Sequence, residues 1–539
     1  MITRIRRIPA RSSPPCRSAC PESVLDRPES ESQTCDVEQT VASRLLLLRF
    51  SGDLTTKAKA TRRRMISRLV ENLRASISAS GRAGKVLRER NRLLVSLEPP
   101  DPEKPNAPTD EEMAQRLARV FGISSVSITH SIEWSSVEDI LREGAAFGAP
   151  HVKDRRFAIR ARRVGERNNV AISTGDIERQ LGEILRPLAS RVDLTNPEAT
   201  VFVEVDPDQA YFFIAKEGGG GGLPLGTQGR AVSLLSGGFD SPVASWRLLR
   251  RGVEIDYVFC NLGGRQHEIE TLTIAKRMAD QWQPGTHPRF HSINFDPVSR
   301  EIQAKITTRY WQVILKRMMF RVAEAVAASR AAGAIVTGEA IGQVSSQTLQ
   351  NLSVISEGTK FPIFRPLVGN NKDEIIEESK RIGTHDLSAK VGEYCAIVPS
   401  KPATHAKLNV ILRQEARMDP SVLAEAIESR THFLLNDVDL DAWSAEEIST
   451  REVTKTDTII DLRAKPAYTT WHYPDALFLD FLNALQAYAT FDPKQRYVLY
   501  CEFGIKSAHL ADLMRREGLD ARHISGGLRE VKRIAAKNS

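Results

Sequence analysis

The chain has 539 residues, enough for three or four domains at roughly 100–200 residues each. Its 41% hydrophobic and 26% charged content suits a globular protein with several cores, and no apolar run approaches the roughly 18 residues that a membrane-spanning helix needs. The net charge of +8 is uneven: residues 1–100 carry twenty Lys and Arg against ten Asp and Glu, so the remainder is slightly acidic and the basic part reads either as a polyanion-binding module or as a solvated face with a disordered basic tail. The six cysteines (Cys16, Cys20, Cys35, Cys260, Cys395 and Cys501) are too few for a disulfide framework in a chain of this length, and no pair has zinc-site spacing. No metal ligand set is expected, and the cysteine usage fits a reducing, cytoplasmic location.

Residues 1–42 are rich in Arg, Ser, Pro and Glu without an apolar period, and read as a disordered basic extension of either transit-segment or upstream-start origin. Leu45 to Phe50 reads as a strand. The helix after Thr56 repeats Met65, Leu69, Leu73 and Ile77 every fourth residue, with Arg62, Arg63, Arg64 and Arg68 crowding its start. Further strand at Val86 to Leu97, a Pro-rich break and a helix at Glu111 to Phe121 suggest a small α/β unit over 43–110. A second unit, 111–217, contains Phe157 to Arg162, where apolar residues alternate with basic ones, including Arg160 and Arg162, beside Arg155, Arg156, Arg163 and Arg167. Two strands flank the turn at Asp206-Pro207-Asp208, and Gly218 to Gly222 reads as a flexible joint.

Residues 218–402 alternate buried strands (Val232 to Leu235, Ile255 to Phe259, Phe290 to Phe295, Ala334 to Thr337) with helices starting near Pro242, Glu268, Val298 and Tyr310. This pattern predicts a doubly wound parallel sheet whose ligands lie beyond the carboxyl ends of its strands. A helical linker over 403–448 leads to a small α/β domain over 449–539, with strands Thr458 to Ile460 and Tyr497 to Tyr500.

Ser236-Gly237-Gly238-Phe239-Asp240-Ser241 follows the first strand of that sheet and opens a helix. Two glycines let the backbone approach a ligand, successive N–H groups form an anion nest, Ser236 and Ser241 add hydroxyls, and Asp240 could hold Mg2+. The Gly-Lys-Ser/Thr ending of a Walker loop is absent, and the sequence matches the SGGxDS pyrophosphate loop of ATP-pyrophosphatases. Cys501-Glu502-Phe503-Gly504-Ile505-Lys506-Ser507 likewise lies between a strand and a helix, where N–H groups and the helix N-terminus favour a thiolate. A tyrosine-phosphatase loop would need Arg where Ser507 stands, so a rhodanese loop carrying persulfide sulfur fits better. Cys395 follows Glu393-Tyr394 in a loop and becomes a candidate resolving thiol once Cys501 carries sulfur, whereas Cys260 reads as packing. Gly338-Glu339-Ala340 and Gly342 to Thr348 close the strand ending at Thr337, with Lys316 and Arg317 on the preceding helix as candidate phosphate partners. The basic residues of the first two units fit contact with folded RNA, and aromatic stacking residues are sparse there.

Together with Thr61 to Arg64, Leu223 to Thr227, Phe259 to Gly264 and Lys316 to Met319, these motifs resemble the tRNA 4-thiouridine synthases of the ThiI type that bear a C-terminal rhodanese domain. The resemblance runs from Leu45 to the C-terminus. It implies an N-terminal ferredoxin-like domain, a THUMP RNA-binding domain, an ATP-pyrophosphatase domain and a rhodanese domain in that order. It further implies ATP bound with Mg2+ around Leu234, Leu235, Ser236, Gly237, Gly238, Ser241, Lys316, Gly338 and Gln347, with Asp240 essential. Arg62, Arg63, Arg64, Arg160, Arg162 and Arg163 would bind tRNA. Cys501 would take persulfide sulfur from a cysteine desulfurase and form a transient disulfide with Cys395, opened by an external reductant. The implied reaction makes 4-thiouridine at position 8 of tRNA, with sulfur supply for the thiazole of thiamine as a further role, and leaves room for a homodimer. Two alternatives stay open: a sulfur carrier mainly for thiamine thiazole, and another ATP-pyrophosphatase tRNA thiolase. Family members usually have Tyr-Gly-Glu where Ser51-Gly52-Asp53 stands here, and Pro-Gly-Ala where Pro474-Asp475-Ala476 stands.

Overall fold

A computed structural model describes residues 45–89, 91–101, 107–164, 173–391, 401–440, 448–454 and 456–538. The expected basic extension, Arg167 and the Glu393-Tyr394-Cys395 segment lie outside the described residues. No described helix is long and apolar enough to cross a membrane.

β1 (Leu45–Phe50), α1 (Gly52–Thr55), α2 (Lys59–Ser78), β2 (Gly84–Arg88), β3 (Arg92–Leu97), α3 (Asp110–Ala118) and β4 (Ile123–Glu133) form a βαββαβ layer with strand order β2-β3-β1-β4. As the four-residue spacing predicts, α2 turns Met65, Ile66, Leu69, Leu73 and Ile77 into the core. That core also takes Met113 and Leu117 of α3 and Ile123 and Val126 of β4, so residues grouped with the second unit in the sequence complete the first. β4 is long enough to serve two partners: Ile123 to Thr129 pair with β1, and His130 to Glu133 pair with β8 (Gln209–Phe213). The sheet therefore continues without a break into the second layer. That layer contains α4 (Val137–Val152), β5 (Arg156–Arg163), α5 (Thr174–Leu185), β6 (Arg191–Val192), β7 (Ala199–Val205) and β8, in the order β4-β8-β7-β5-β6, with β9 (Glu217–Gly218) beside β4.

The run Gly218 to Gly222, expected to be a flexible joint, is a tightly packed passage. Gly219, Gly220 and Gly221 donate to the carbonyls of Ser124, Ala118 and Ile123 at 2.8–2.9 Å, and the N–H of Gly122 donates to Gly221 at 2.8 Å. A Cβ on Gly219 would lie 2.2 Å from the Ile123 oxygen, and one on Gly222 (φ +69°) would lie 1.9 Å from the Arg250 oxygen. Glycine is required here for close backbone approach as well as for its dihedral freedom. The first layer is clamped to the next domain nearby: the Arg68 guanidinium donates to the carbonyls of Leu225 and Gly285 at 3.1 and 3.0 Å, and the Asn72 amide donates to Leu225 at 3.1 Å. Phe121 stacks on Trp282 with ring centres 5.5 Å apart.

The third domain is the doubly wound sheet that the strand–helix alternation predicts. β10 (Arg230–Leu234), β11 (Glu254–Asn261), β12 (Arg289–Asn294), β13 (Ile335–Val336) and β14 (Ile363–Phe364) run parallel in the order β14-β13-β10-β11-β12. Its helices are α6 (Asp240–Leu249), α7 (Gly264–Trp282), α8 (Asp296–Lys305), α9 (Trp311–Ser329), α10 (Leu349–Ser356), α11 (Lys372–Arg381) and α12 (His385–Ser388). The linker is not wholly helical. After α13 (Leu408–Glu415) and α14 (Pro420–Glu428), β15 (Thr431–Leu434) adds an antiparallel edge to β12, a strand too short for its period to show in the sequence. Ile411 and Ala426 of the two linker helices are buried in the core of this domain.

The last domain contains β16 (Ser449–Thr450), β17 (Thr458–Asp461), α15 (Lys465–Thr470), β18 (Leu477–Phe478), α16 (Phe481–Ala487), β19 (Arg496–Tyr500), α17 (Ile505–Arg516), β20 (Asp520–Ile524) and α18 (Gly527–Asn538). Its five strands are parallel in the order β16-β20-β19-β17-β18. Asp475, in the Pro474-Asp475-Ala476 segment, holds φ +59°, a left-handed conformation that Asp tolerates better than most residues.

The glycine passage yields a paired expectation. Gly222→Ala combines a clash with a left-handed backbone and lowers unfolding stability by on the order of 3 kcal/mol. Gly182→Ala, inside α5 where an added Cβ meets nothing within 4 Å, raises stability by about 0.5–1 kcal/mol. Urea denaturation followed by circular dichroism checks both signs.

Candidate functional site

The strand order of the third domain reverses between β10 and β13, so their following segments diverge and leave a crevice at the carboxyl edge. A cavity of about 240 Å³ lies there. It brings together Leu234, Leu235, Ser236, Asp240, Ser241, Lys316, Gly338 and Gln347 of the residues singled out in the sequence. Gly237 and Gly238 do not line it and shape the loop instead. A Cβ on Gly237 would lie 2.0 Å from Val391, and the Gly238 carbonyl accepts the Ser388 hydroxyl at 3.3 Å. Cys395 follows Val391 by four residues and lies outside the described residues.

The loop holds its own shape. The Ser236 N–H donates to the Ser241 hydroxyl at 2.9 Å, and the two hydroxyl oxygens are 3.1 Å apart. Helix α6 begins at Asp240 with no side-chain cap on its first N–H groups, which leaves an N-terminus suited to an anion. Gly338 comes so close that a Cβ on it would lie 2.8 Å from the Ser241 nitrogen.

The charged groups are paired in a fixed pattern. Asp240 accepts from Lys372 Nζ at 2.9 Å and from Gln343 Nε2 at 2.9 Å. Glu339 lies between Lys316 Nζ at 2.7 Å and Arg365 Nε at 2.9 Å. Burial alone would raise the Glu339 pKa, but the two cations outweigh it and hold the group below its ordinary value. Arg317, expected beside Lys316 as a phosphate partner, faces the other way: it is buried against Glu415 and the Val354 carbonyl. Successive helix residues point about 100° apart, which separates the two cations.

Sequence reasoning placed Glu339 and Gln343 at the ligand edge without partners and missed Lys372 and His267. Lys372, at the start of α11, and Gln343 both reach Asp240, and Glu339 sets the position of Lys316. His267, which burial keeps neutral with its pKa lowered to about 4, also lines the cavity, edge-on to Phe259 with ring centres 4.9 Å apart. Cys260 lines the wall too, and burial raises its thiol pKa, in keeping with a packing role. A polar residue directly after a strand of a parallel sheet was the signal available for Glu339.

Cys501 is buried at the end of β19. The Gly504 N–H donates to its Sγ at 3.2 Å, and Ser507 Oγ lies 3.6 Å from the sulfur while bonded to the Gly504 carbonyl at 2.9 Å. Gly504 takes φ +93° to close the loop into α17. The loop base is braced by Leu528 N–H on the Glu502 carbonyl at 3.1 Å, and by Asp461, which pairs with Arg463 and accepts the Tyr500 hydroxyl at 2.7 Å. Phe503, within the loop, is 67% exposed, so the rim beside the buried thiol is open.

The six arginines form two groups. Arg63 and Arg64 are exposed on the first turns of α2 and Arg62 is half-buried, while Arg160 and Arg162 are exposed on β5 and Arg163 is half-buried. Arg160 donates to the Leu194 carbonyl at 2.6 Å.

An anion cradle at a sheet edge, followed in the same chain by a domain built to present a thiol, is the equipment of a group-transfer enzyme that handles sulfur. Comparison with known proteins makes this specific. The family described as Thiamine biosynthesis protein (ThiI) matches residues 226–419, and the ThiI ferredoxin-like, THUMP and rhodanese-like domains match residues 45–127, 135–215 and 443–534. The tRNA sulfurtransferase of Desulfurococcus amylolyticus is 34% identical over 89% of this chain and 97% of its own length. That of Marinobacter nauticus is 32% identical over 88% and 97%. A crystal structure of a 4-thiouridine synthetase–RNA complex with bound ATP aligns with a TM-score of 0.62 at 30% identity, over 73% of this chain and 99% of that one. The chain belongs to the tRNA sulfurtransferase family and is an enzyme of the transferase class.

The helix behind the cavity carries a pH dependence. Glu270 on α7 accepts Gln266 Nε2 at 2.8 Å through one oxygen, and its other oxygen is buried with no hydrogen-bond partner among the described residues. Burial pushes its pKa up to about 7. Between its unfolded value of about 4.5 and that value the folded chain holds a proton that the unfolded chain releases, so stability falls as pH rises through this window. Glu270→Gln removes that slope, with a gain on the order of 2 kcal/mol at pH 8, read from thermal melts between pH 5 and 8.

Proposed function

We propose that this chain converts uridine at position 8 of tRNA to 4-thiouridine, using ATP to activate the base and Cys501 to carry the sulfur. The observation that carries the reading is the cavity at the strand-order reversal, where an uncapped helix N-terminus, the Ser236–Ser241 loop and Lys316 converge. The uncapped N–H groups at the start of α6 and Lys316 suit the nucleotide phosphates. Among the described residues no cluster of three side chains could hold a resident metal ion, so Mg2+ would arrive on the phosphates with Asp240 as its protein ligand. Bound there, it would neutralise charge on the phosphates. The exposed arginines of α2 and β5, set on one continuous sheet, support contact with the tRNA backbone.

In this mechanism uridine O4 attacks the α-phosphorus of ATP, pyrophosphate leaves, and the N3 proton passes to solvent. The loop N–H groups and Lys316 stabilise the charge that develops on the phosphates. The terminal sulfur of the Cys501 persulfide, supplied by a cysteine desulfurase, then attacks C4, and AMP departs with the former O4. The base is left joined to Cys501 by a disulfide. Cys395 thiolate attacks Cys501 Sγ, releases the thiolated base and leaves a Cys395–Cys501 disulfide, which an external dithiol reduces. In the variant route the Cys395 thiolate attacks Sγ of the Cys501 persulfide first, expelling hydrosulfide and forming the same Cys395–Cys501 disulfide, and the hydrosulfide then attacks C4, so no bond joins carrier and base. The family's thiamine description supports a second role, sulfur supply for thiazole from the same Cys501.

The test is thiolation in vitro with unmodified tRNA, Mg-ATP, cysteine and a cysteine desulfurase, followed by near-ultraviolet absorbance. Cys501→Ser abolishes product, and Asp240→Ala lowers the rate by about a hundredfold or more while leaving persulfide loading intact. Cys395→Ala stalls with the tRNA base joined to Cys501 by a disulfide; full catalytic turnover by that variant would overturn the disulfide step. No thiolation by the unaltered chain, with persulfide still accumulating on Cys501, would favour a sulfur carrier with another acceptor.

A further inference from the structure

The nucleotide cavity and the thiol-bearing domain meet on one short segment. β11 ends at Asn261, and the turn into α7 presents opposite sides to two cavities. Leu262 and His267 line the cavity at the strand reversal, whereas Asn261, Gly264 and Glu268 line a second cavity of about 170 Å³. The far wall of the second cavity is α17, the helix that begins after the Cys501 loop, through His509, Asp512 and Leu513. Helix α17 packs across α7 at the same carboxyl edge of the sheet, beside the ends of β11 and β12.

The contact centres on one pair. His509, one turn into α17, is 3% exposed. Its ring lies 6.1 Å from that of Phe481 in its own domain, and its Nε2 lies 3.9 Å from Asp296 of the nucleotide domain. Gly264, the first residue of α7, has φ +70°, and a Cβ on it would lie 2.5 Å from His509 Nδ1. The imidazole is therefore seated on bare backbone, a fit that only glycine at 264 permits.

We infer that His509 is a positioning residue for sulfur delivery: it seats the carrier domain, through Gly264, on the turn that walls the nucleotide cavity. This rests on the reading of Cys501 as the sulfur carrier. Loading of Cys501 takes place on the carrier domain and needs no seat on the nucleotide domain. Delivery needs the loop held against the activated base, and misplacement by about 1 Å costs rate steeply.

The experiment separates loading from delivery in the full chain. Persulfide on Cys501 is measured by mass spectrometry after treatment with cysteine and a cysteine desulfurase, and tRNA thiolation is followed at steady state. H509A is expected to load within about twofold of the unaltered chain while its thiolation kcat falls about tenfold and the KM for tRNA holds. G264A, acting from the other domain, gives the same signature, and the double variant loses less than the product of the two single losses. Unchanged kcat in H509A overturns the assignment. So does a loading loss parallel to the thiolation loss, which would make His509 a residue that only holds its own domain together, and so do multiplicative losses in the double variant. Failure of the unaltered chain to thiolate tRNA would instead remove the reading beneath it.

Discussion

At the reversal of strand order between β10 and β13, the segment leaving one strand runs along the start of the helix that follows the other. The separation leaves no room for a side chain at Gly338, whose Cβ would meet the backbone of Asp240 and Ser241 at 2.8 Å. This approach brings the next residue, Glu339, to the cavity wall and places Asp240 within reach of Gln343 and Lys372. Parallel β topology creates the crevice, and glycine lets backbone fill its edge.

Charge pairing then fixes the polar wall of this edge. A buried carboxylate is costly unless it is paired, and Glu339 is paired twice. Lys316 and Arg365 brace Glu339 and Lys372 braces Asp240, so each carboxylate at the strand reversal has a cation beside it. In the second cavity Glu268 is likewise paired, with Arg265 at 3.2 Å, and Asp296 faces His509.

The frame around this edge depends on close approach at glycine. Gly226 against the Arg68 side chain, Gly285 against Asn72 and Gly264 against His509 are three places where one domain meets another at a glycine, and Gly222 meets the Arg250 backbone oxygen in the passage into the third domain. The arginine-bearing helix α2 is held to the third domain by hydrogen bonds from Arg68 and Asn72 on its own surface. The exposed Arg63 and Arg64 therefore stand at a fixed offset from the cavity, as the proposed contact with a folded tRNA would require.

Much of this protein was legible in the chain itself. The Ser236–Ser241 loop and the Cys501 loop are contiguous, so their glycines, hydroxyls and thiol declare an anion nest and a thiol cradle without knowledge of the fold. Strand–helix alternation likewise determined the doubly wound sheet. Tertiary structure decided what depends on distant partners. Lys372 and Gln343 reach Asp240 across 132 and 103 residues, and Arg317 turns from the cavity to Glu415 because one helical step rotates it away from Lys316. The glycines at 218–222 are the sharpest case. Their composition allows a hinge or a tight passage equally, because glycine relaxes the backbone and removes the Cβ together. Only the carbonyls of Ile123 and Arg250, packed where that Cβ would stand, decide between them.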